Sequence, residues 1–260
     1  MEEMKQRHFV LVHGAGLGAW CWYKVATLLK SAGHKVTALD MAASGVHPKQ
    51  VSEIQSISDY FEPLMEFMMS SPQEEKVILV GHSFGGLSIS IAMERFPEKI
   101  SAAIFASAIM PGPDLSYTSA REKFSKTFDP MDTKFKFDNG PDHPPTSLLS
   151  GPNCLSTQLY QLSPPEDLML AMMLIRPHPL HNIAAVQNEA VLTKEKFGSV
   201  SRIFIVCGQD KVYSEDFQRW MVQKNPPNEI MVISDSDHML MISRPQDFCS
   251  CLEDIAKKYF

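Results

Sequence analysis

Short apolar runs recur along this chain, and stretches in which apolar residues have helical spacing separate them. The runs predict strands at residues 8–12, 35–39, 76–80, 102–106, 202–206 and 229–233. The helical spacing predicts helices at residues 20–32, 58–70, 84–96, 215–224 and 243–259. Strands that alternate with helices are typical of a parallel sheet covered on both faces. We therefore predict an α/β fold with a mainly parallel, doubly wound sheet.

Three of the predicted helices carry signals at or near their ends. Gly33 is placed to end the first helix, because glycine readily adopts the left-handed conformation that follows a helix. Pro63 lies inside the second helix, which predicts either a helix start near Glu62 or a kink. Ser243 and Gln246 have the spacing of a capping box at the start of the last helix.

The alternation of strands and helices stops between residues 112 and 182. This segment is rich in proline and carries the run LMLAMMLI, which has helical content. We predict that residues 1–111 and 183–260 form the core and that residues 112–182 form an inserted, mainly helical cap. The methionines suit an adaptable apolar wall because the thioether side chain is flexible, and they equally suit the interior of the cap.

Composition and charge narrow the class of protein. The 260 residues are 44% hydrophobic and 21% charged, as in an ordinary globular domain, and the net charge of -6 gives no reason to expect a nucleic acid or an anionic membrane as partner. The start, MEEMKQRHF, lacks the apolar core of a signal peptide, and no apolar run reaches the length of a membrane span. Five cysteines without metal-ligand spacing indicate reduced thiols and no metal site. We expect a soluble protein of the cytoplasm.

The segment 76–86, KVILVGHSFGG, carries the strongest chemical signal. Its residues 81–85 fit the G-x-S-x-G pattern of a nucleophile elbow, with Ser83 as the nucleophile. Glycines flank the serine because strand and helix backbones come close together at such a turn. The pattern is short and also fits a glycine-rich turn, but a predicted strand precedes it and a predicted helix follows it.

A glycine-rich loop, residues 13–18, follows the first strand. Its G-x-G-x-G spacing does not fit a dinucleotide site, and no phosphate-loop lysine follows. In a hydrolase built on a nucleophile elbow, this loop and the residue after the serine supply the backbone amides of an oxyanion hole. Those amides here are the ones of Ala15 and Phe84. Without the elbow, a plain β-turn explains the loop equally well.

A serine nucleophile needs a general base and an acid that orients it. Asp210 follows the strand predicted at 202–206, and His238 follows the last strand, so both lie at the same sheet edge as Ser83. The order serine, acid, histidine is the one expected for this elbow. Asp235 and Asp237 compete for the acid role, but a residue so near the histidine cannot easily reach its Nδ1. We predict the triad Ser83, Asp210 and His238.

Several segments resemble the plant methylesterase family, which includes salicylate and jasmonate methyl esterases and hydroxynitrile lyases. They are HFVLVHGAGLGAWCWYK, GHKVTALDMAASG, DYFEPLMEFM, EEKVILVGHSFGG and DSDHM, and within the family GAWCWYK, HSFGG and FPEKIS are most similar to the polyneuridine aldehyde esterases. The resemblance implies an α/β-hydrolase fold and a cytosolic, cofactor-free esterase acting on methyl esters of small apolar acids. It places the triad and the oxyanion amides on the residues named above, and it marks Gly14, His82 and Met239 as substrate contacts. The resemblance does not decide whether the protein is a monomer or a homodimer.

The resemblance leaves the reaction partly open. The acyl group belongs either to a hormone methyl ester or to a monoterpenoid indole alkaloid ester, and an acid freed from a β-aldehyde or β-keto ester loses CO₂ without help from the protein. A hormone receptor is a further alternative, although all three triad groups are present here. Related hydroxynitrile lyases use a lysine after the catalytic histidine and a threonine in the first loop. Met239 and Gly14 occupy those places here, which favours an esterase.

Overall fold

A computed structural model describes residues 6–259 of the chain. Six strands form one sheet in the order β2-β1-β3-β4-β8-β9, and every neighbouring pair is parallel. Their bounds are β1 His8–Val12, β2 Lys35–Leu39, β3 Val77–Ser83, β4 Ile100–Ala108, β8 Ser201–Cys207 and β9 Glu229–Ile233. All six predicted strands are confirmed. The strand order reverses between β1 and β3, and ligands bind at such a switch point in open α/β sheets.

Helices cover both faces of the sheet. Successive side chains of a strand point to opposite faces, so Phe9 and Leu11 of β1 pack into one apolar cluster while Val10 and Val12 pack into the other. The first cluster includes residues of α1 and α10, and the second includes residues of α2, α3 and α8. The helices are α1 Tyr23–Ser31, α2 Ile57–Ser70, α3 Gly85–Arg95, α4 Tyr117–Ser125, α5 Pro152–Cys154, α6 Pro165–Leu174, α7 Ile183–Glu189, α8 Glu215–Lys224, α9 Leu240–Ser243 and α10 Pro245–Lys258.

The predicted helix ends are partly corrected. Gly33 does follow α1 with a φ of +91°. The helix predicted at residues 20–32 starts instead as the 3₁₀ turn Ala19–Trp22. A start of α2 near Glu62 is wrong, because Ser56 and Asp59 cap this helix reciprocally and Pro63 lies inside it.

The start of the last helix also differs from the prediction. Within the described part of the chain, no side chain caps α10, so the predicted capping box of Ser243 and Gln246 is wrong. The chain first forms the short helix α9, and α10 then begins at Pro245. Proline suits the first helical position because its fixed φ matches the helix and its missing N–H needs no partner there.

Residues 112–182 depart from the alternation of the core, and we propose that they form the inserted cap. They contain α4, α5 and α6, a π-helical turn at Leu155–Leu159 and a small antiparallel sheet that the sequence pattern did not predict. Its strands are β5 Lys134–Lys136, β6 Ser147–Leu149 and β7 His178–Pro179. Runs of two or three residues are too short to show an alternating pattern. Helix α6 exposes Met169 and Met173, so these two methionines do not belong to the interior of the cap.

Two polar anchors tie the cap to the core. Buried Asp167 of α6 accepts hydrogen bonds from the Tyr23 hydroxyl at 2.7 Å and from Lys24 Nζ at 2.6 Å. The Arg176 guanidinium donates to the backbone carbonyls of Gly45, His47 and Lys49. Charge-assisted hydrogen bonds of this kind are stronger than neutral ones. They fix the cap relative to the sheet on two sides.

Within residues 6–259, no helix combines the length and the apolar composition that a membrane span requires. All five cysteines are free thiols. The expectation that no signal peptide is present rests partly on residues 1–5, which lie outside the described residues.

Candidate active site

Ser83 ends strand β3 in a backbone conformation that residues other than glycine rarely adopt. Its φ is +52°, in the left-handed region. Phe84 follows as the N-cap of α3, and the helix begins at Gly85. Strained residues of this kind persist where the surrounding structure holds them in place, as at active sites. A buried strand, a sharp turn at a serine and a helix together match the nucleophile elbow.

Gly85 shows why the elbow needs a residue without a side chain. A Cβ atom at this position would lie 2.6 Å from the carbonyl oxygen of Val12 and 2.7 Å from that of His13. Contacts of a Cβ atom shorter than 3.0 Å essentially never occur in proteins, so both contacts would be strongly repulsive. Helix α3 can therefore approach the end of β1 only if this position is glycine, as the G-x-S-x-G spacing predicts.

Ser83, His238 and Asp210 form a continuous chain of hydrogen bonds. Ser83 Oγ lies 2.9 Å from His238 Nε2, and His238 Nδ1 lies 2.7 Å from Asp210 Oδ2. The histidine side chain is 2% exposed and the aspartate side chain 0%. An ionised carboxylate can only accept, so Nδ1–H donates to Asp210 and Nε2 is left to accept the serine proton. The arrangement suits a serine nucleophile with its general base.

Four donors hold the Asp210 carboxylate in place. Oδ1 accepts from the amides of Val212 at 2.7 Å and Tyr213 at 2.9 Å. Oδ2 accepts from His238 and from the Ser107 hydroxyl. Ser107 lies near the end of β4 and also has a positive φ, of +39°. Because both carboxylate oxygens are bound, the group cannot turn away from the imidazole.

The two competing acids are engaged elsewhere. Asp237 Oδ1 accepts from the amide of Met239 at 2.9 Å, and its Oδ2 accepts from the Leu162 amide and the Ser163 hydroxyl of the cap. Asp235 is exposed on the surface. Asp210 is therefore the carboxylate that contacts His238. Asp237 instead links the loop that carries His238 to the cap.

The glycine-rich loop runs beside the nucleophile. His13 orients it, because Nδ1–H donates to the carbonyl of Gly14 at 2.7 Å while Nε2 accepts from the Met41 amide at 3.0 Å. A Cβ atom on Gly14 would lie 2.8 Å from Ser83 Cβ. Among residues 6–259, no group accepts a hydrogen bond from the amide of Ala15. A crevice between loop 15–17 and cap residues 148–150 lies beside this amide.

The profile of the alpha/beta hydrolase family matches residues 9–250. The chain belongs to the alpha/beta hydrolase family. Its fold and its resemblance to plant methylesterases were both expected from the sequence, and both are confirmed.

The relatives extend over almost the whole chain. Methyl jasmonate esterase 1 of Vitis vinifera is 54% identical over 259 residues, 99% of each chain. Polyneuridine aldehyde esterase of Rauvolfia serpentina is 45% identical over 257 residues, covering 97% of this chain and 96% of that one. Crystal structures of tomato methylketone synthase I, with 2-tridecanone and as a variant with beta-ketoheptanoate, superpose with a TM-score of 0.95. They are 49% identical and cover 98% of this chain and all of theirs.

His82, which precedes the nucleophile of this alpha/beta hydrolase, faces the catalytic histidine. Its Nε2–H donates to the backbone carbonyl of His238 at 2.8 Å, and the two rings lie 4.7 Å apart. Burial, and next the nearby His238, hold the pKa of His82 well below its usual value. The ring therefore stays neutral and supports the backbone of the base. Its role as a substrate contact stays a prediction.

Met239 directly follows His238 along the chain. It is completely buried in the same apolar cluster as Phe9 and Leu11, and its amide donates to Asp237. Its role as a substrate contact, like that of Gly14, stays a prediction. Its thioether gives this position no charge.

Aromatic side chains that the sequence pattern did not identify surround the nucleophile. The Tyr213 ring lies 5.4 Å from the ring of His238. The ring of the cap residue His178 lies 4.7 Å from the ring of Phe84, which follows the nucleophile, and 5.1 Å from the ring of Tyr60. Burial, more than the nearby His181, His13 and Arg121, lowers the pKa of His178 to about 3. This histidine is therefore neutral at physiological pH.

Ser107 is the missed residue that the sequence could have identified. It lies at the carboxyl end of β4, the edge where the triad was expected, but the predicted strand stopped at residue 106. Tyr213 and His178 reach the site through tertiary packing and have no local signal. Within the described part of the chain, no group of three or more His, Cys, Asp or Glu residues could hold a metal ion.

Proposed function

We propose that this chain is a serine esterase that cleaves methyl esters of small apolar acids. The observation that carries the proposal is the hydrogen-bond chain from Ser83 through His238 to Asp210, with all three side chains buried at the sheet edge. His238 removes the serine proton as Oγ attacks the ester carbonyl, and Asp210 stabilises the imidazolium that forms. The same proton then leaves with methanol, and water attacks the acyl-enzyme.

The amides of Ala15 and Phe84 are the proposed donors to the oxyanion. They come from the loop after β1 and from the residue after the nucleophile, which are the two sources expected for this elbow. Gly14 allows the loop to approach Ser83, since a side chain there would meet Ser83 Cβ. Fixed donors of this kind stabilise the charge that develops in the transition state. The proposed steps use only side chains, amides and water.

Two classes of acyl group are candidates. The relation to methyl jasmonate esterase 1 supports a hormone-type methyl ester, and the lower identity to polyneuridine aldehyde esterase supports an alkaloid ester less strongly. Methylketone synthase I holds a β-keto acid in one of its structures, so a β-keto methyl ester is a third substrate to test. Its acid would lose CO₂ after hydrolysis, and the decarboxylated product would then form only after methanol release.

Methanol release across a panel of these esters tests the proposal. Ser83→Ala should lose activity by several orders of magnitude, because triad residues act as one unit. Ser88→Ala is the matched control, since Ser88 is buried one turn into α3 and its hydroxyl has no hydrogen-bond partner within residues 6–259. Activity of Ser83→Ala above about a tenth of wild type would contradict the proposal. Release of CO₂ without methanol would contradict the order of hydrolysis and decarboxylation.

A receptor and a lyase are the alternatives to an esterase. The intact hydrogen-bond chain favours turnover over a receptor role, and the uncharged Met239 provides no cation for departing cyanide. Binding of methyl jasmonate without turnover would favour the receptor. We place the protein in the cytoplasm, which the free cysteines support. Size-exclusion chromatography with light scattering decides between monomer and homodimer.

A further inference from the structure

A cavity separate from the triad is lined by Arg202, the second residue of β8. Its volume of about 300 Å³ lies at the lower end of the range for small-molecule sites, about 300–1,000 Å³. None of the three triad residues lines it. Asp210 follows the opposite end of β8, and a strand rises about 3.3 Å per residue, so about 16 Å separate Arg202 from Cys207 along the strand. A ligand in this cavity would therefore not occupy the ester site.

The guanidinium of Arg202 lacks an acidic partner. Its one side-chain hydrogen bond runs from Nη1 to Asn225 Oδ1 at 2.8 Å, and its central carbon lies 4.9 Å from the centre of the Phe197 ring. Among residues 6–259, no Asp or Glu forms an ion pair with Arg202, and its buried Nε has no acceptor. A half-buried charge with unused donors favours an anion in the adjoining cavity, because desolvation of an unpaired charge is costly.

The other charged residues of the cavity leave the charge of Arg202 uncancelled. Lys194 and Asp114 also line it, and Lys194 Nζ lies 3.2 Å from Asp114 Oδ1. Both side chains are exposed. Because this cation and this acid balance each other, the lining residues carry a single net positive charge. Burial, only partly offset by the nearby Asp114, lowers the pKa of Arg202, which shows that water stabilises the guanidinium poorly.

The guanidinium is also held in place. Asn225 is buried, and its Nδ2 donates to the backbone carbonyl of Met110 at 3.2 Å, which directs Oδ1 to Arg202. On its flat face, the completely buried Phe197 ring packs against the guanidinium. A donor fixed before the ligand arrives loses little conformational freedom on binding. Phe197 and Pro113 add apolar surface to the lining.

We propose that this cavity binds a small organic acid through its carboxylate, with Arg202 as the main donor and Lys194 as a second cation. A guanidinium forms strong, charge-assisted hydrogen bonds with a carboxylate. The single net positive charge matches a monoanion, whereas a phosphate dianion would exceed it and be repelled by Asp114. The volume and the apolar lining accommodate an acid with an apolar body. This site is additional to the proposed esterase site and does not depend on it.

A titration of ¹⁵N-labelled protein with benzoate, followed by NMR, tests the two sites separately. Gly198 lines the cavity, so its amide resonance reports this site, and the Ala15 amide reports the ester site. In wild type, the Gly198 resonance should shift saturably with benzoate but not with the neutral benzamide. In Arg202→Gln, the Kd measured at Gly198 should rise about tenfold or more, as expected for loss of a hydrogen bond between charged groups. The Kd of any binding seen at Ala15 should stay unchanged.

Three results of this titration would overturn the inference. They are an absent benzoate shift at Gly198 in wild type, an equal Kd in Arg202→Gln, and tighter binding of inorganic phosphate than of benzoate at Gly198. The resonances of distant residues show whether Arg202→Gln is folded. None of these measurements requires turnover, so their failure leaves the esterase proposal untouched.

A second pair of variants does not disturb the buried part of the site. Lys194→Gln removes an exposed charge that lines the cavity and leaves Asp114 unopposed, so the Kd for benzoate at Gly198 should rise about two- to fivefold, the size of an exposed ion pair. Lys196→Gln is the matched control, because Lys196 is exposed in the same loop but does not line the cavity. Its Kd should equal that of wild type. Equal effects of the two substitutions would contradict the proposed role of Lys194 and overturn the site.

Discussion

Asp210→Asn should reverse the tautomer of the catalytic histidine. Oδ1 of this residue accepts from the amides of Val212 and Tyr213, and an asparagine can satisfy both only with its carbonyl oxygen. Its NH₂ group must then occupy the position of Oδ2, 2.7 Å from His238 Nδ1. In that position the NH₂ group donates a hydrogen bond to Nδ1, whereas the carboxylate oxygen accepted one from it. Nδ1 becomes an acceptor, Nε2 carries the proton, and the imidazole can no longer accept the proton of Ser83.

The size of the effect follows from this geometry. A base in the wrong tautomer reduces kcat by about ten-thousandfold, which corresponds to about 5 kcal/mol of transition-state stabilisation. Methanol release from a methyl ester at saturating concentration measures kcat, and urea unfolding measures stability. Because the hydrogen bonds from the amides of Val212 and Tyr213 remain, we expect Asp210→Asn to stay folded.

Asp237→Asn is the matched control. This acid adjoins the base and ties its loop to Ser163 of the cap, but it does not contact the imidazole. The kcat of Asp237→Asn should change by less than about tenfold, since Asp237 positions the loop that carries His238 and takes no part in the proton transfer. Asp210→Asn activity above about a tenth of wild type would refute the tautomer argument. A larger loss in Asp237→Asn than in Asp210→Asn would show that the orienting acid has been misassigned.

Three further predictions concern the surroundings of the triad. Gly14→Ala places a Cβ 2.8 Å from Ser83 Cβ, so kcat should fall and the free energy of unfolding should drop by about 1–3 kcal/mol, as kinetics and urea titration would show. His178 has a pKa of about 3 in the folded protein against 6.5 in the unfolded chain, so its contribution to stability is complete above pH 6.5 and is lost as pH falls toward 3. The free energy of unfolding of wild type should therefore fall between about pH 7.5 and about pH 4.5, and His178→Leu should remove about 2–3 kcal/mol of that fall. Wild type should release no cyanide from mandelonitrile at a rate that rivals ester hydrolysis, and cyanide release that appears only in Met239→Lys would support the role given to this position.

The sequence predicted those parts of the site that depend on local geometry. Ser83 was identifiable because a strained turn between strand and helix requires glycine at fixed distances along the chain. Asp210 and His238 followed because parallel strands all end at one sheet edge. The position of Pro63 misled the prediction of α2, because reciprocal capping by Ser56 and Asp59 outweighs one missing backbone hydrogen bond.

The remaining features depend on contacts between distant segments. Tyr213 and His178 are 35 residues apart and flank the same nucleophile only after the cap has folded over the sheet. The cap sheet forms from strands of two or three residues, which have no periodicity to detect.

The anchors of the cap bear on how this enzyme could diverge. Arg176 binds the loop through the carbonyls of Gly45, His47 and Lys49, and every residue type has such a carbonyl. Substitutions of the His47 and Lys49 side chains therefore leave these hydrogen bonds in place, whereas Gly45 must stay glycine because it has a positive φ and a Cβ atom there would clash with the Asp40 carboxylate. On the cap side, these attachments depend on the side chains of Arg176, Asp167 and Ser163, whereas exposed residues between them, such as Met169 and Met173, can vary. New substrate preferences can arise in such a lineage while the triad below remains unchanged.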